Sequence, residues 1–131
     1  MTNSYFGASL TNYTYGDVMG GDANKGSTAA DQSDFTLLET FSFTTDNSYI
    51  KRKWVAVYDA VARANNVMHL AGLIKDELSA IPGQEKDFYT EAIAQARFMR
   101  GFYYMQLVIK WGKMVYREVY MTSSGEVDRD M

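Results

Sequence analysis

Cysteine is absent from this 131-residue chain, proline occurs once and histidine once. Without cysteine there is no disulfide, no thiolate metal site and no thiol nucleophile within the chain. One histidine, His69, with no second histidine or paired carboxylate beside it in the sequence, makes neither a metal-ligand set nor a catalytic triad. No GxSxG turn, phosphate-binding glycine loop or HExxH helix occurs. No apolar run approaches the roughly 18 residues that a membrane span needs, and the opening Met1-Thr2-Asn3-Ser4-Tyr5-Phe6 carries no signal-peptide pattern. An excess of basic residues is missing too. The net charge is −3, which argues against a nucleic-acid binder.

What is present is a globular composition: 47% hydrophobic, 22% charged and 15% aromatic, with ten tyrosines among the aromatics. A length of 131 residues fits one domain with a modest core. The near-neutral total hides a division. Residues 1–46 carry −5, residues 47–75 carry +4 and the remainder carries −2. Local pairing and solvated faces account for this more readily than a binding patch does.

Residues 1–46 are rich in Gly, Ser, Thr, Asn and Asp and lack a long helical period. They read as an irregular acidic segment, with one short helical turn near Asp31–Thr40. From Asn47 the pattern changes. Ile50, Trp54, Val57, Tyr58, Val61, Ala64, Met68 and Ala71 recur at steps of three and four, which is one face of an α-helix. Asp46 or Asn47 can cap its start, and a helix over 47–75 would be about 40 Å long. Pro82-Gly83 breaks the chain. A second stripe, Phe88, Ala92, Ala96, Met99, Tyr103, Leu107 and Trp111, predicts a helix from Gln84 to Trp111, stopped by Gly112. The fold class read from these patterns is all-α: an antiparallel helical hairpin over 47–112 behind a long irregular N-terminal segment. Ala92 and Ala96 would admit the partner helix closely and leave room for Trp54 and Tyr58. Residues 113–121 read as extended and 122–131 as a polar tail. One hairpin cannot bury both faces of two such helices, and stacked hairpins need neighbours to complete a core.

Two segments are specific. The first runs Trp54-Val55-Ala56-Val57-Tyr58-Asp59-Ala60-Val61-Ala62-Arg63-Ala64-Asn65. The second runs from Ala96-Arg97-Phe98-Met99-Arg100-Gly101 through Tyr104, Leu107 and Val108 to Trp111-Gly112. In order and spacing they resemble the SusD/RagB family of outer-membrane nutrient-binding lipoproteins. Gly21-Asp22 and the approach Phe43-Thr44-Thr45-Asp46-Asn47 fit as well. The chain departs from the family pattern at Gln95, where a Glu is usual, at Gly101, where an Ala is usual, and at Val115, where a Pro is common. The match covers roughly residues 20–115 and would form an N-terminal portion of a longer protein. The resemblance implies a tetratricopeptide-like α-helical scaffold and a lipoprotein on the outer-membrane surface of a Gram-negative bacterium, with its lipid-bearing cysteine upstream of Met1. It also implies partnership with a TonB-dependent, SusC-like transporter and capture of oligosaccharide or peptide, with no catalysis and no cofactor.

Several side chains have both a structural and a functional reading. Trp54 sits on the apolar stripe and Trp111 at a helix end, so both lean towards the core. Tyr58 shares that stripe. Asn65, between Val61 and Met68, is placed to tie a loop backbone to its helix. Arg97 and Arg100 share a face and would pair with acids such as Asp17 or Asp22. For ligand contact the irregular segment offers Tyr13, Tyr15, Asn24, Phe41 and Phe43. Aromatic faces among Asn, Asp and Ser give a sugar a surface to stack on and fixed groups for its hydroxyls. Asp22-Ala23-Asn24-Lys25-Gly26 opens like a calcium loop, but Ser27 stands where that loop needs glycine. The rival to a nutrient binder is a helical-hairpin module that docks another protein and takes no small ligand.

Overall fold

The computed structural model describes residues 12–28, 30–80, 82 and 87–121. The tail expected over 122–131 lies outside the described residues, as do 83–86, where the sequence places the first turn of the second long helix. Among the described residues every regular element is helical and no strand occurs. Tyr13–Val18 winds as a π-helix. It is followed by α1 (Ser33–Glu39), α2 (Ser48–Leu73), α3 (Lys75–Ser79) and α4 (Phe88–Trp111). The chain divides into two compact units, Met1–Ala56 and Val57–Met131, with the boundary falling inside α2.

In the first unit the described part of the acidic segment builds a small core. Val18, Phe35, Leu38 and Tyr49 are buried together, with Met19, Ala23, Phe43 and Ile50 packed around them. Phe35 lies at the centre, edge-on to Tyr13 at 6.0 Å and tilted against Tyr49 at 5.2 Å between ring centroids. Leu38 is fully buried, which contributes on the order of 2 kcal/mol. α1 occupies the stretch where a helical turn is expected, and it buries Phe35 and Leu38, three residues apart on one face. The π-helix was not legible. It closes through contacts from outside its own sequence: Val18 in the cluster, and the Tyr13 hydroxyl donating to the carbonyl of Asn24 at 2.8 Å.

α2 begins where Asn47 stops the preceding turn. The Asn47 side-chain oxygen accepts from the backbone N–H of Tyr49 at 3.0 Å, satisfying an orphan donor of the first turn. Its amide donates to the carbonyl of Asp34 at 2.8 Å, and the Asp34 carboxylate accepts from the N–H of Ser48 at 3.0 Å. α1 is thereby fastened to the start of α2.

In the second unit α2 buries Val57, Val61, Ala64 and Ala71, and α4 buries Ala96, Tyr104 and Leu107. α4 starts behind Asp87, whose carboxylate caps the N–H groups of Tyr89 and Thr90. It ends at Gly112, with φ 69° and ψ −124°, a conformation open to glycine. Between the long helices Ile74 leaves helical geometry and α3 resumes for one turn. The Lys75 ammonium sits 5.3 Å from the Tyr89 ring centroid. The pairing is antiparallel: Ala60, Ala64 and Val67 of α2 share a groove with Ala92, Ala96 and Met99 of α4. The α2 residues bordering that groove beside Ala92 and Ala96 are Ala60, Arg63, Ala64 and Val67. Trp54 is half-buried in the first unit.

α4 also carries an apolar face with substantial exposure. Phe98, Phe102, Met105 and Ile109 are 73%, 41%, 49% and 68% exposed. Their spacing of four, three and four places them along one side of the helix for about 16 Å.

Candidate functional site

In the first unit the structure places the five residues expected to meet a ligand in three locations. Tyr13 and Asn24 come together, but through the hydrogen bond from the tyrosine hydroxyl to the Asn24 backbone carbonyl. Tyr13 keeps partial exposure while its ring edge meets Phe35, and Asn24 is exposed. Tyr15 points inward. Its hydroxyl donates to the carbonyl of Tyr49 at 2.8 Å, and the buried Lys53 holds its ammonium 5.7 Å from the Tyr15 ring centroid. Burial, and behind it the neighbouring Tyr49, push the Tyr15 phenol far above its ordinary value, so it stays a donor.

Phe41 and Phe43 form the third location, with ring centroids 6.4 Å apart and planes tilted by 44°. Phe43 leans on the core cluster, whereas Phe41 is 64% exposed. The backbone under Phe41 is unusual. The N–H of Ser42 donates to the carbonyl of Leu37 at 2.9 Å and that of Phe41 to the carbonyl of Leu38 at 3.2 Å. These two bonds are the Schellman closure of a helix, in which the residue after the cap turns left-handed and is usually glycine. Phe41 occupies that position at φ 53°. A side chain there costs about 1 kcal/mol relative to glycine. Lys25, on the neighbouring loop, fixes the end of α1: its N–H donates to the Glu39 carboxylate at 3.2 Å, and its ammonium donates to the carbonyls of Thr28 and Asp31.

In the second unit the two motif-bearing segments converge. Asn65 is buried, and its side-chain oxygen accepts from the Arg100 guanidinium at 3.0 Å. The Asn65 amide donates to the carbonyls of Arg117 and Val119 at 3.2 and 3.3 Å. Arg100 also donates to the carbonyl of Glu118 at 3.0 Å, with the Glu118 carboxylate 3.9 Å away. The acid near Arg100 therefore comes from the 113–121 segment, whereas the sequence pointed to Asp17 or Asp22. The Tyr104 hydroxyl donates to the carbonyl of Arg117 at 2.7 Å and accepts from its N–H at 2.6 Å. The Tyr58 hydroxyl donates to the carbonyl of Val115 at 2.9 Å. Burial raises both phenols, with the backbone hydrogen bonds opposing the rise. Four motif side chains thus hold one short run of backbone against two helices. Arg97 is exposed and Trp111 half-buried.

Beside this clasp lies a cavity of about 260 Å³, bordered by Tyr58, Asp59, Arg63, Asn66, Arg117 and Tyr120. Tyr120 stacks on His69 at 4.5 Å with the planes 9° apart. Arg63 pairs with Asp59 at 2.9 Å across one helical turn, where both are solvated and the pair adds little. Arg117 and Glu118 were not singled out from the sequence, and Tyr104 was named there only as part of the second motif segment. Among the described residues no group of three or more His, Asp or Glu side chains is placed to hold a metal ion, and no helix is long and apolar enough to cross a membrane.

Comparison with known proteins gives one curated relative. Over 91 residues the chain is 28% identical to the SusD-like protein P2 of Formosa agariphila. The aligned region is 70% of this chain and 16% of that protein, so the chain spans a small part of the length of the relative it matches. No protein-family model matches the chain, and no solved structure matches it.

Proposed function

We propose that this chain is scaffold from a SusD-like nutrient-binding protein. Such a protein works at the outer-membrane surface by capturing oligosaccharide or peptide for a TonB-dependent, SusC-like transporter, and it performs no catalysis. The observation that carries this reading is the agreement between the likeness to a SusD-like protein and the two motif segments. Those segments are not scattered. Tyr58, Asn65, Arg100 and Tyr104 meet on the backbone of residues 115–119. A motif that builds a scaffold leaves ligand contact to the surrounding loops, which is how binding proteins commonly divide the work. The tyrosine-rich first unit, with Tyr13, Asn24, Phe41 and Phe43 near or at its surface, is where ligand contact from this chain is assigned. Lipid anchorage of the whole protein belongs to the same proposal.

A second reading has its own observation. The open α4 stripe of Phe98, Phe102, Met105 and Ile109 suits a helical module that docks another protein. Calorimetry and affinity electrophoresis against starch, xylan, pectic and β-glucan oligosaccharides separate the two. Binding of at least one glycan supports nutrient capture. Uniform absence of glycan and peptide binding, together with a tight protein partner, replaces it with the docking module.

A further inference from the structure

The clasp on residues 115–119 does more than join two helices. Three hydrogen bonds hold the backbone of Arg117: its carbonyl accepts from Asn65 and from Tyr104, and its N–H donates to the Tyr104 hydroxyl. Its side chain is left to border the cavity of about 260 Å³ beside the clasp. Arg117 is half-buried, and among the described residues no carboxylate lies within ion-pair distance of its guanidinium. The group donates to the Met121 thioether at 2.9 Å, a weak acceptor for a side chain with five N–H donors. Glu118, the adjacent acid, turns instead to Arg100 and to the Tyr116 hydroxyl. The other cation at the rim, Arg63, already pairs with Asp59 at 2.9 Å. The cavity therefore carries one surplus positive charge, on a side chain whose root the fold has fixed in advance. Much of the remaining wall is ring and hydrocarbon: Tyr58, Val61, Val119 and Tyr120, with the Tyr120 ring steadied by its stacking on His69.

We propose that this cavity binds a small flat carboxylate, a single ring or comparable planar body bearing one carboxyl group. The Arg117 fork would take both carboxylate oxygens, the pairing for which a guanidinium is shaped. The Asn66 amide, on the same wall, offers a further donor. The body of the ligand would lie against the tyrosine rings and the valines. The size agrees. An apolar cavity of about 150 Å³ takes benzene, so about 260 Å³ holds one ring with its carboxyl group and little more. Phosphate fits less well, since it is polar on every side and would leave the apolar wall bare. The site stands apart from nutrient capture, because none of its residues belongs to the first unit, where ligand contact is assigned.

The test is calorimetry on the whole protein at low salt, with benzoate, acetate, benzyl alcohol and inorganic phosphate as probes. Benzoate should bind with a Kd of about 1 mM or tighter. The other three should each bind about tenfold more weakly or worse, since each lacks the ring or the carboxylate. Arg117→Gln should weaken benzoate by about tenfold or more. It should keep the parent melting temperature, because the clasp uses the Arg117 backbone and not its side chain. Asp59→Asn should tighten benzoate by about threefold, because it removes a carboxylate from the rim and frees Arg63. An Arg117 with a structural role alone would move neither affinity. Benzoate that does not bind, or that binds Arg117→Gln as tightly as the parent, overturns the site. Equal affinity for benzoate and phosphate overturns it too, by showing a general anion surface. If Arg117→Gln melts lower than the parent, Asp59→Asn decides alone, and no gain in benzoate affinity there overturns the proposal.

Discussion

Asn65 and Arg100 stand 35 positions apart in sequence and hydrogen-bond side chain to side chain at 3.0 Å, one from α2 and one from α4. Each then reaches the backbone of residues 117–119, so a single polar contact fixes the register of two helices and the segment that crosses them. The buried amide uses both of its donors and its acceptor, which is how a buried Asn avoids the cost of desolvation.

Replacing Asn65 by Ala removes three hydrogen bonds and leaves the Arg100 guanidinium with Glu118 alone. A loss of about 3 kcal/mol is expected in urea unfolding. Asn65→Asp keeps the shape and gains a charge partner for Arg100, but it loses both donors to the carbonyls of Arg117 and Val119. It should also destabilise. If Asn65→Asp matches the parent, the two backbone bonds contribute nothing.

Tyr104→Phe deletes one hydroxyl that both donates to and accepts from Arg117. The carbonyl retains Asn65, but the N–H is orphaned, so the change should cost about 1–2 kcal/mol. Hydrogen exchange should show faster exchange at Arg117 N–H in this variant, with amides in the middle of α2 unaffected. Uniform acceleration would mean that the hydroxyl supports the whole unit and not one segment.

Gly101 and Gly112 should respond to alanine in opposite directions. Gly101 lies inside α4 with open space where a Cβ would sit, so Gly101→Ala should stabilise by about 0.5–1 kcal/mol. Gly112 is equally uncrowded, but its φ of 69° with ψ −124° disfavours a side chain. Gly112→Ala should destabilise by about 1–3 kcal/mol. Thermal melts of the two variants decide both signs.

Stability should fall at both ends of the pH scale, for different groups. Hydrogen bonding to Ser48, helped by Arg52, lowers the Asp34 pKa below 3.8. Its contribution is present above the unfolded value and is lost as pH drops through the folded one. Asp34→Asn should flatten the acid limb of a stability profile. At the alkaline end burial raises Tyr15, Tyr58 and Tyr104 above 10. The folded state therefore holds their protons more tightly, and stability should decline above about pH 10. An alkaline limb unchanged in Tyr104→Phe would remove Tyr104 from this account.

The long helices were legible because their ends are written locally. Asn47 caps α2 and Gly112 closes α4 as the sequence predicts, and α2 ends within two residues of its expected limit. The short helix α3 that follows Ile74 was not legible, since nothing in the apolar pattern marks a new start at Lys75. The start of α4 shifts from Gln84 to Phe88 because Asp87 supplies the cap. The π-helix stayed hidden, because its hydroxyl bond to Asn24 and its packing on Phe35 are tertiary. In the candidate site the sequence offered the right residue types but not their partners. The acid beside Arg100 is Glu118, which lies in the extended stretch after α4, where the sequence does not fix which helix it meets. The left-handed turn at Phe41 could not be read either, since phenylalanine there points away from such a turn.

The ridge of Phe98, Phe102, Met105 and Ile109 has a practical consequence for anyone handling the isolated polypeptide. Hydrocarbon open to water along three helical turns makes molecules adhere to one another as their concentration rises. A dimer or larger aggregate of this chain alone would then report that greasy edge seeking cover, not a native assembly, and charged substitutions at Phe98 and Ile109 should disperse it.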